Sequence, residues 1–218
     1  MTPAQAALAF VDVTYAYPDG PTFGPMTRTV HWGECCILTG RSGTGKSTIL
    51  ALAALLLSPS AGSICLAGTP TGRLTGDSRD ALRASWARVV WQDAGLIPYL
   101  TSWENVAAQL GAPHRSNRQT AIAALESVGM AEHADTLPQR LSGGQRQRVG
   151  IARGLVGKPP VLLADEPTAN LDAASARLVA QAITSVVERG GAALVATHDP
   201  ELVQVSATRW ALDQEVLR

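Results

Sequence analysis

The chain has 218 residues, enough for one domain with a sizeable core and a small subdomain. Lysine plus arginine balance aspartate plus glutamate at 18 each, so no basic excess favours nucleic acid as a partner. The longest apolar run, Ile49 to Leu57, is far shorter than the roughly twenty residues that span a bilayer.

The start, Met1-Thr2-Pro3-Ala4-Gln5, lacks the basic residues of a secretory signal, so the chain is expected to remain in the cytoplasm. Val11 to Tyr17 alternates with period two and predicts a half-buried strand that ends at the turn Pro18-Asp19-Gly20. Met26 to Trp32 and Glu34 to Thr39 predict two more strands. The glycine-rich stretch Gly40-Arg41-Ser42-Gly43-Thr44-Gly45-Lys46-Ser47-Thr48 follows, and a helix is expected from Lys46 through the apolar run Ile49 to Leu57. Gly62 to Ala67 reads as a short strand, the residues through Asp80 as a polar connection, and Ala87 to Trp91 as a strand ending at Gln92. Cys35, Cys36 and Cys65 sit in apolar strand-like surroundings without metal-type spacing, which predicts buried thiols.

From Thr101 to Gly129 the pattern is helical, with Ile122, Leu125 and Val128 spaced for one buried face. Leu141-Ser142-Gly143-Gly144-Gln145 introduces a further helix from about Arg146 to Val156, stopped by Gly157 and Pro159-Pro160. Val161 to Ala164 is a continuous apolar strand closed by Asp165-Glu166. Leu178, Val179, Ala182, Ile183, Val186 and Val187 form a helical stripe, and Ala192 to Ala196 is another buried strand before Thr197-His198-Asp199. Apolar strands alternating with helices imply an α/β fold with a mainly parallel sheet, whose ligands sit at the carboxyl ends of the strands.

The order strand, glycine loop, helix is what a phosphate cradle needs. Gly40, Gly43 and Gly45 free the backbone to turn its N–H groups toward a polyphosphate, and the helix start adds the positive end of its dipole. Lys46 would reach the β and γ phosphates and the Ser47 hydroxyl would hold Mg²⁺. Asp165, delivered by an apolar strand, supplies a second metal anchor, and Glu166 beside it is placed to polarise an attacking water. Ser142 followed by two glycines is an N-cap at a helix start with no bulky side chains over it, a second anion site.

These residues resemble the ATPase subunits of ABC transporters from Tyr17 to His198, and Leu141 to Gln145 matches the signature pentapeptide of that family. The resemblance implies a P-loop NTPase of the ABC type, with an antiparallel β subdomain and a helical insertion. Residues 1–92 and 158–218 would form the nucleotide-binding core and about 93–157 the helical part that carries the signature. It implies ATP and Mg²⁺ as cofactors, with Tyr17 (or Tyr15) stacking on adenine and Arg41, Ser42, Gly43, Thr44, Gly45, Lys46, Ser47 and Thr48 around the phosphates. Ser47, Asp165 and Gln92 would hold or sense the metal. Glu166 would be the catalytic base, His198 would contact the γ-phosphate and orient it, and Gln92 would link the core to the helical insertion. Ser142, Gly143, Gly144 and Gln145 would close over the ATP of a second copy, with Asp172 crossing between the two copies. The implied assembly is a head-to-tail dimer around two nucleotides, peripheral on the cytoplasmic face of the membrane and driving a separate permease near Gln92 and Leu96-Ile97-Pro98-Tyr99-Leu100.

Asp165-Glu166-Pro167-Thr168-Ala169-Asn170-Leu171-Asp172 is similar to the MacB/LolD/FtsE-like group, which leans toward export of haem, peptides, antibiotics or lipoproteins. An ATPase that switches an extracytoplasmic partner such as a cell-wall hydrolase regulator, and a transport-independent ABC ATPase, remain open. A small-molecule kinase would leave the signature and His198 without a role. Three features depart from the family pattern. Gly150 and Gly154 stand where alanine is usual, at about 1 kcal/mol each in helix propensity. The stretch Leu212 to Val216 lacks the usual closing glycine turn, and the short tail after His198 leads to the expectation that no regulatory domain is appended.

Overall fold

Apolar runs that do not alternate build the centre of the molecule, because a strand covered on both faces needs apolar residues at every position. The computed structural model describes residues 6–18, 20–204, 206 and 208–212. It contains two sheets. The first is antiparallel, in the order β2-β1-β4-β5, from β1 (Ala6–Ala16), β2 (Thr22–His31), β4 (Ala61–Leu66) and β5 (Thr69–Pro70). The second has the order β6-β7-β8-β3-β9, from β3 (Cys35–Thr39), β6 (Ala87–Val90), β7 (Val161–Asp165), β8 (Ala192–Ala196) and β9 (Thr208–Ala211). All of its neighbours run parallel.

The parallel sheet divides the core in two. In β7, Leu162 and Ala164 face one side while Val161 and Leu163 face the other, and β3 splits Ile37 from Cys36 and Leu38 in the same way. One side packs against α1 (Lys46–Ala53) and the antiparallel sheet. The other packs against α3 (Ser102–Ala107), α4 (Arg118–Glu126), α5 (Gly143–Leu155) and α6 (Ala173–Glu188), whose buried stripe is Val179, Ala182, Ile183 and Val186. Leu178, expected in that stripe, is 39% exposed. All three cysteines are free and buried. Burial raises the Cys35 thiol to about 11, with Glu34 adding to the effect.

Several elements differ from expectation, each for a local reason. β1 begins at Ala6, and its alternation breaks at a bulge between Phe10 and Val13, where Asp12 takes φ 49° and Val11 turns outward. The helix after the glycine loop stops at Ala53, because Leu55 adopts φ 57°. The connection through Asp80 instead holds the start of α2 (Gly76–Trp86), capped by a Thr75–Ser78 box and without a single buried residue. The helical stretch 101–129 is broken at Gly111-Ala112-Pro113 into α3 and α4, with short 3-10 turns at Ala108–Leu110 and Arg115–Asn117. The signature helix α5 starts earlier than expected, at Gly143. A short α7 (Pro200–Gln204) leads to β9, which was not foreseen. Expectations on Met1 to Gln5, Asp19 and Asp213 to Val216 lie outside the described residues.

Four connections leave the carboxyl ends of adjacent parallel strands: Gln92 after β6, Glu166 after β7, His198 after β8 and the glycine loop after β3. Parallel order therefore gathers on one edge residues far apart in the chain.

Candidate active site

The loop after β3 is held open by its glycines. Gly43 and Gly45 take φ 83° and 92°, and a methyl group at Gly45 would lie 3.1 Å from the Phe23 ring. At Gly43 a methyl group would meet nothing within 4 Å. Lys46 folds back so that Nζ donates to the Gly40 and Arg41 carbonyls at 2.5 and 3.0 Å. Thr44 closes the turn, its Oγ1 donating to Arg41 O at 2.9 Å. Helix α1 starts at Gly45 without a side-chain cap and without an acidic residue in its first turn. Its first N–H groups are thus left for an anion.

Asp165 ends β7 and is 7% exposed; it accepts a hydrogen bond from Ser47 Oγ at 2.5 Å. Glu166 follows with φ 43°, its N–H donating to Ala196 O at 2.8 Å, so the neighbouring strand β8 fixes where the turn points. His198 Nε2 stands 4.0 Å from Glu166 Oε1, close enough to pair when protonated and too long for a hydrogen bond. Tyr17 OH lies 2.5 Å from Thr48 Oγ1, and Tyr15 packs edge-on against the Tyr17 ring at 5.0 Å between centroids.

A cavity of about 480 Å³ is lined by Tyr17, Ser42, Gly43, Gly45, Lys46, Ser47, Thr48, Gln92, Asp165, Glu166, Ala169 and His198. Tyr17 reaches it and Tyr15 does not. Arg41 and Thr44 belong to the loop without lining the cavity. Among the described residues no cluster of three or more His, Cys, Asp and Glu converges on one point. Ser47 and Asp165 are oxygen donors of the kind that suits a hard divalent ion such as magnesium.

The signature residues lie elsewhere. Ser142 caps α5, its Oγ accepting from the Gln145 N–H at 3.2 Å, while Gln145 Oε1 accepts from the Ser142 N–H at 2.8 Å. Gln145 Nε2 also stands 3.0 Å from His133 Nε2. A methyl at Gly144 would meet Leu171 Cδ2 at 3.2 Å and Asn170 O at 3.3 Å, so this glycine lets the 170–171 turn pack on the helix start. Asp172 caps α6, accepting from the Ser175 N–H at 2.9 Å, and this backbone bond holds its carboxyl below the ordinary range. Gly143 lines a second cavity of about 430 Å³, together with Gln92, Asp93, Ala94, Gly95, Arg146, Gln147, Ala169 and Asn170 among others. Gln92 and Ala169 border both cavities. Ala169 was not singled out from the sequence, although it lies in the quoted run Asp165 to Asp172.

The deviant glycines of α5 have a packing reason. A methyl at Gly150 would come within 2.9 Å of Ala94 Cβ, and one at Gly154 within 2.4 Å of Val90 Cγ2. Alanine would not fit there without a shift, and the lost helix propensity is the consequence of a close approach.

Comparison with known proteins agrees with this fold. Residues 23–169 match the family described as ABC transporter. The chain is 38% identical over 208 residues to the lipoprotein-releasing system ATP-binding protein LolD 1 of Rhodospirillum rubrum, covering 92% of each. It is 45% identical over 174 residues to the LolD protein of Gluconobacter oxydans, covering 78% of this chain and 75% of that one. The ATP-binding cassette MJ0796, solved as a dimer in a post-hydrolysis state with ADP and Pi, aligns with a TM-score of 0.89 at 30% identity, over 97% of this chain and 96% of that one. CbiO1 of Clostridium perfringens, part of an ABC transporter complex, aligns with a TM-score of 0.82 at 26% identity, over 98% and 87%. The chain belongs to the ABC transporter family, as an ATPase of the ATP-binding cassette type.

Proposed function

We propose that two copies of this chain bind two ATP molecules head to tail, each nucleotide held by the Lys46 side of one copy and closed by the Ser142 side of the other. The observation that carries this reading is that the cavity gathers the glycine loop, Asp165, Glu166, Gln92 and His198 but not Ser142. One chain thus presents an anion cradle and, away from it, a second capped helix start, and each can serve a different phosphate. That the cassette MJ0796 was solved as a dimer supports the same arrangement.

In this reading Tyr17 stacks on adenine, and residues 41–48 hold the phosphates. Ser47 and Asp165, with Gln92 beside them, would hold Mg²⁺, which when bound would offset negative charge on the phosphates. Glu166 takes the proton of the attacking water, and His198, at 4.0 Å, orients it and contacts the γ-phosphate. Gly143, Gly144, Gln145 and Asp172 lie at the contact between copies. Residues 1–92 and 158–218 act as the core and about 93–157 as the helical arm.

Closure of the pair drives a separate membrane permease. The docking loop is Leu96 to Leu100, where Tyr99 is 78% exposed and Asn105 holds the backbone through Ile97 and Leu100. No helix among the described residues is long and apolar enough to cross a membrane, which suits a subunit held at the cytoplasmic face by such a permease. The relatives named for lipoprotein release favour export, with a lipid-anchored protein as cargo.

Glu166→Gln tests the mechanism. ATP binding should persist while turnover falls by roughly 10²–10⁴-fold and the closed pair accumulates. Turnover within a few-fold of the parent protein would remove Glu166 from the role of base. Recovery from native membranes should bring down a permease with a large extracytoplasmic domain; recovery of soluble partners alone would argue against the transport role.

A further inference from the structure

Helix α5 touches the catalytic loop as well as carrying the signature. Its start is the Ser142 cap, and its later turns lie against the segment that follows β6. Arg153 donates from Nη2 to Ala94 O at 2.5 Å and from Nη1 to Gly95 O at 3.0 Å. Gln147, 5% exposed, donates to Trp91 O at 3.4 Å. Gly150 and Gly154 let the helix backbone approach Ala94 and Val90 so closely that a methyl group would have to displace them. The carbonyls on both sides of Gln92 are therefore gripped by one helix face.

Burial lowers the affinity of the Arg153 guanidinium for its proton, so its charge is retained against a desolvation cost and is answered by two backbone carbonyls. The other α5 arginines hydrogen-bond elsewhere: Arg146 donates to Leu141 O and Arg148 to Val128 O and Gly129 O. Arg153 is thus the α5 arginine that reaches across to the loop of Gln92. That loop borders both the nucleotide cavity and the cleft beside Gly143.

We infer that Arg153 is a positioning residue that ties the Gln92 loop to the signature helix and so makes the two ATP sites of a pair cooperative. The inference rests on the two-copy reading above. In such a pair, Gln92 senses the nucleotide of its own copy, while Ser142 of the same copy closes on the nucleotide of its partner. A stiff helix of 13 residues joins the two points, and it transmits a shift only if both ends are fastened. In that reading the Ser142 end bears on the partner copy's nucleotide, and Arg153 fastens the other end by its two carbonyl bonds.

The test is the ATP dependence of hydrolysis by the full-length chain and by Arg153→Ala, with nucleotide affinity measured separately at concentrations where the chain is unpaired. The Hill coefficient should fall from near 2 to about 1 in the variant, while affinity in the unpaired chain changes less than about twofold. Arg153→Lys should restore part of the cooperativity, because a single ammonium can still reach a carbonyl. If Arg153→Ala does not fold by circular dichroism, Gly150→Ala decides, since it displaces Ala94 and leaves the arginine in place; the same fall is expected. Unchanged cooperativity in a folded variant overturns the inference and leaves the two-copy reading standing. A parent protein that pairs and hydrolyses with a Hill coefficient of about 1 also overturns it. A parent protein that never pairs overturns the reading beneath it as well.

Discussion

Helices α1 and α5 both have glycine at their starts, and they begin differently. Helix α1 starts at Gly45 with no side-chain cap, φ 92° and a lysine in its first position, so its donors are left free and a positive charge is set beside them. Helix α5 starts at Ser142 with a reciprocal capping box that engages the N–H groups of Ser142 and Gln145. The first leaves its opening donors uncapped beside a positive charge; the second carries a cap of its own. In the proposed two-copy arrangement, a helix that keeps its shape before it meets the other copy's phosphate benefits from carrying its own cap.

Removing Lys46 should break the first start most severely. Lys46→Ala is expected to lose about 2–3 kcal/mol of nucleotide affinity, roughly a hundredfold in Kd, measured by calorimetric titration with ATP. An affinity within threefold of the parent chain would mean that the backbone cradle alone holds the phosphates. Ser142→Ala should act on the second start, lowering stability to urea by about 1 kcal/mol while leaving nucleotide affinity of the unpaired chain unchanged. Weakened ATP binding of that variant would place the second start in the same site as the first and collapse the contrast.

A pH effect concerns β3, the strand that presents the first start. Burial raises the Cys35 thiol from 9.0 to about 11, so the unfolded chain releases this proton at lower pH than the folded one. The stability linked to the neutral thiol is fully present below pH 9 and is lost as pH rises toward about 11. Denaturant midpoints followed across that range should decline, and Cys35→Ala should lessen the decline, with Cys36 and Cys65, whose thiols burial also raises, carrying the rest. A midpoint that holds steady through pH 11 in the parent chain would show that the thiol ionises equally in both states.

Much of this was legible in the residues. The glycine loop between an apolar strand and a helix, the apolar run ending in Asp165-Glu166, and the Ser142 cap each carry a local physical reason, and the structure has them where that reason puts them. Helix α2 was not legible, because it buries no residue and so leaves no periodic apolar stripe. The end of α1 was hidden inside a run of leucines and alanines, since the left-handed turn at Leu55 has no residue signal. Gly150 and Gly154 read as defects until Val90 and Ala94 were beside them. The reach of Arg153 to two carbonyls nearly sixty residues earlier is a tertiary fact that no local pattern encodes.

The strand order has a consequence for how the protein is made. The phosphate loop is translated early, yet β3 finds its parallel neighbours only in β8 and β9, at Ala192–Ala196 and Thr208–Ala211. Until those residues leave the ribosome, the strand that presents Lys46 has no partner in its own sheet, and Glu166 lacks the Ala196 carbonyl that aims it. A chain interrupted before β8 therefore carries the whole glycine loop while the strand that presents it still lacks both neighbours in its sheet.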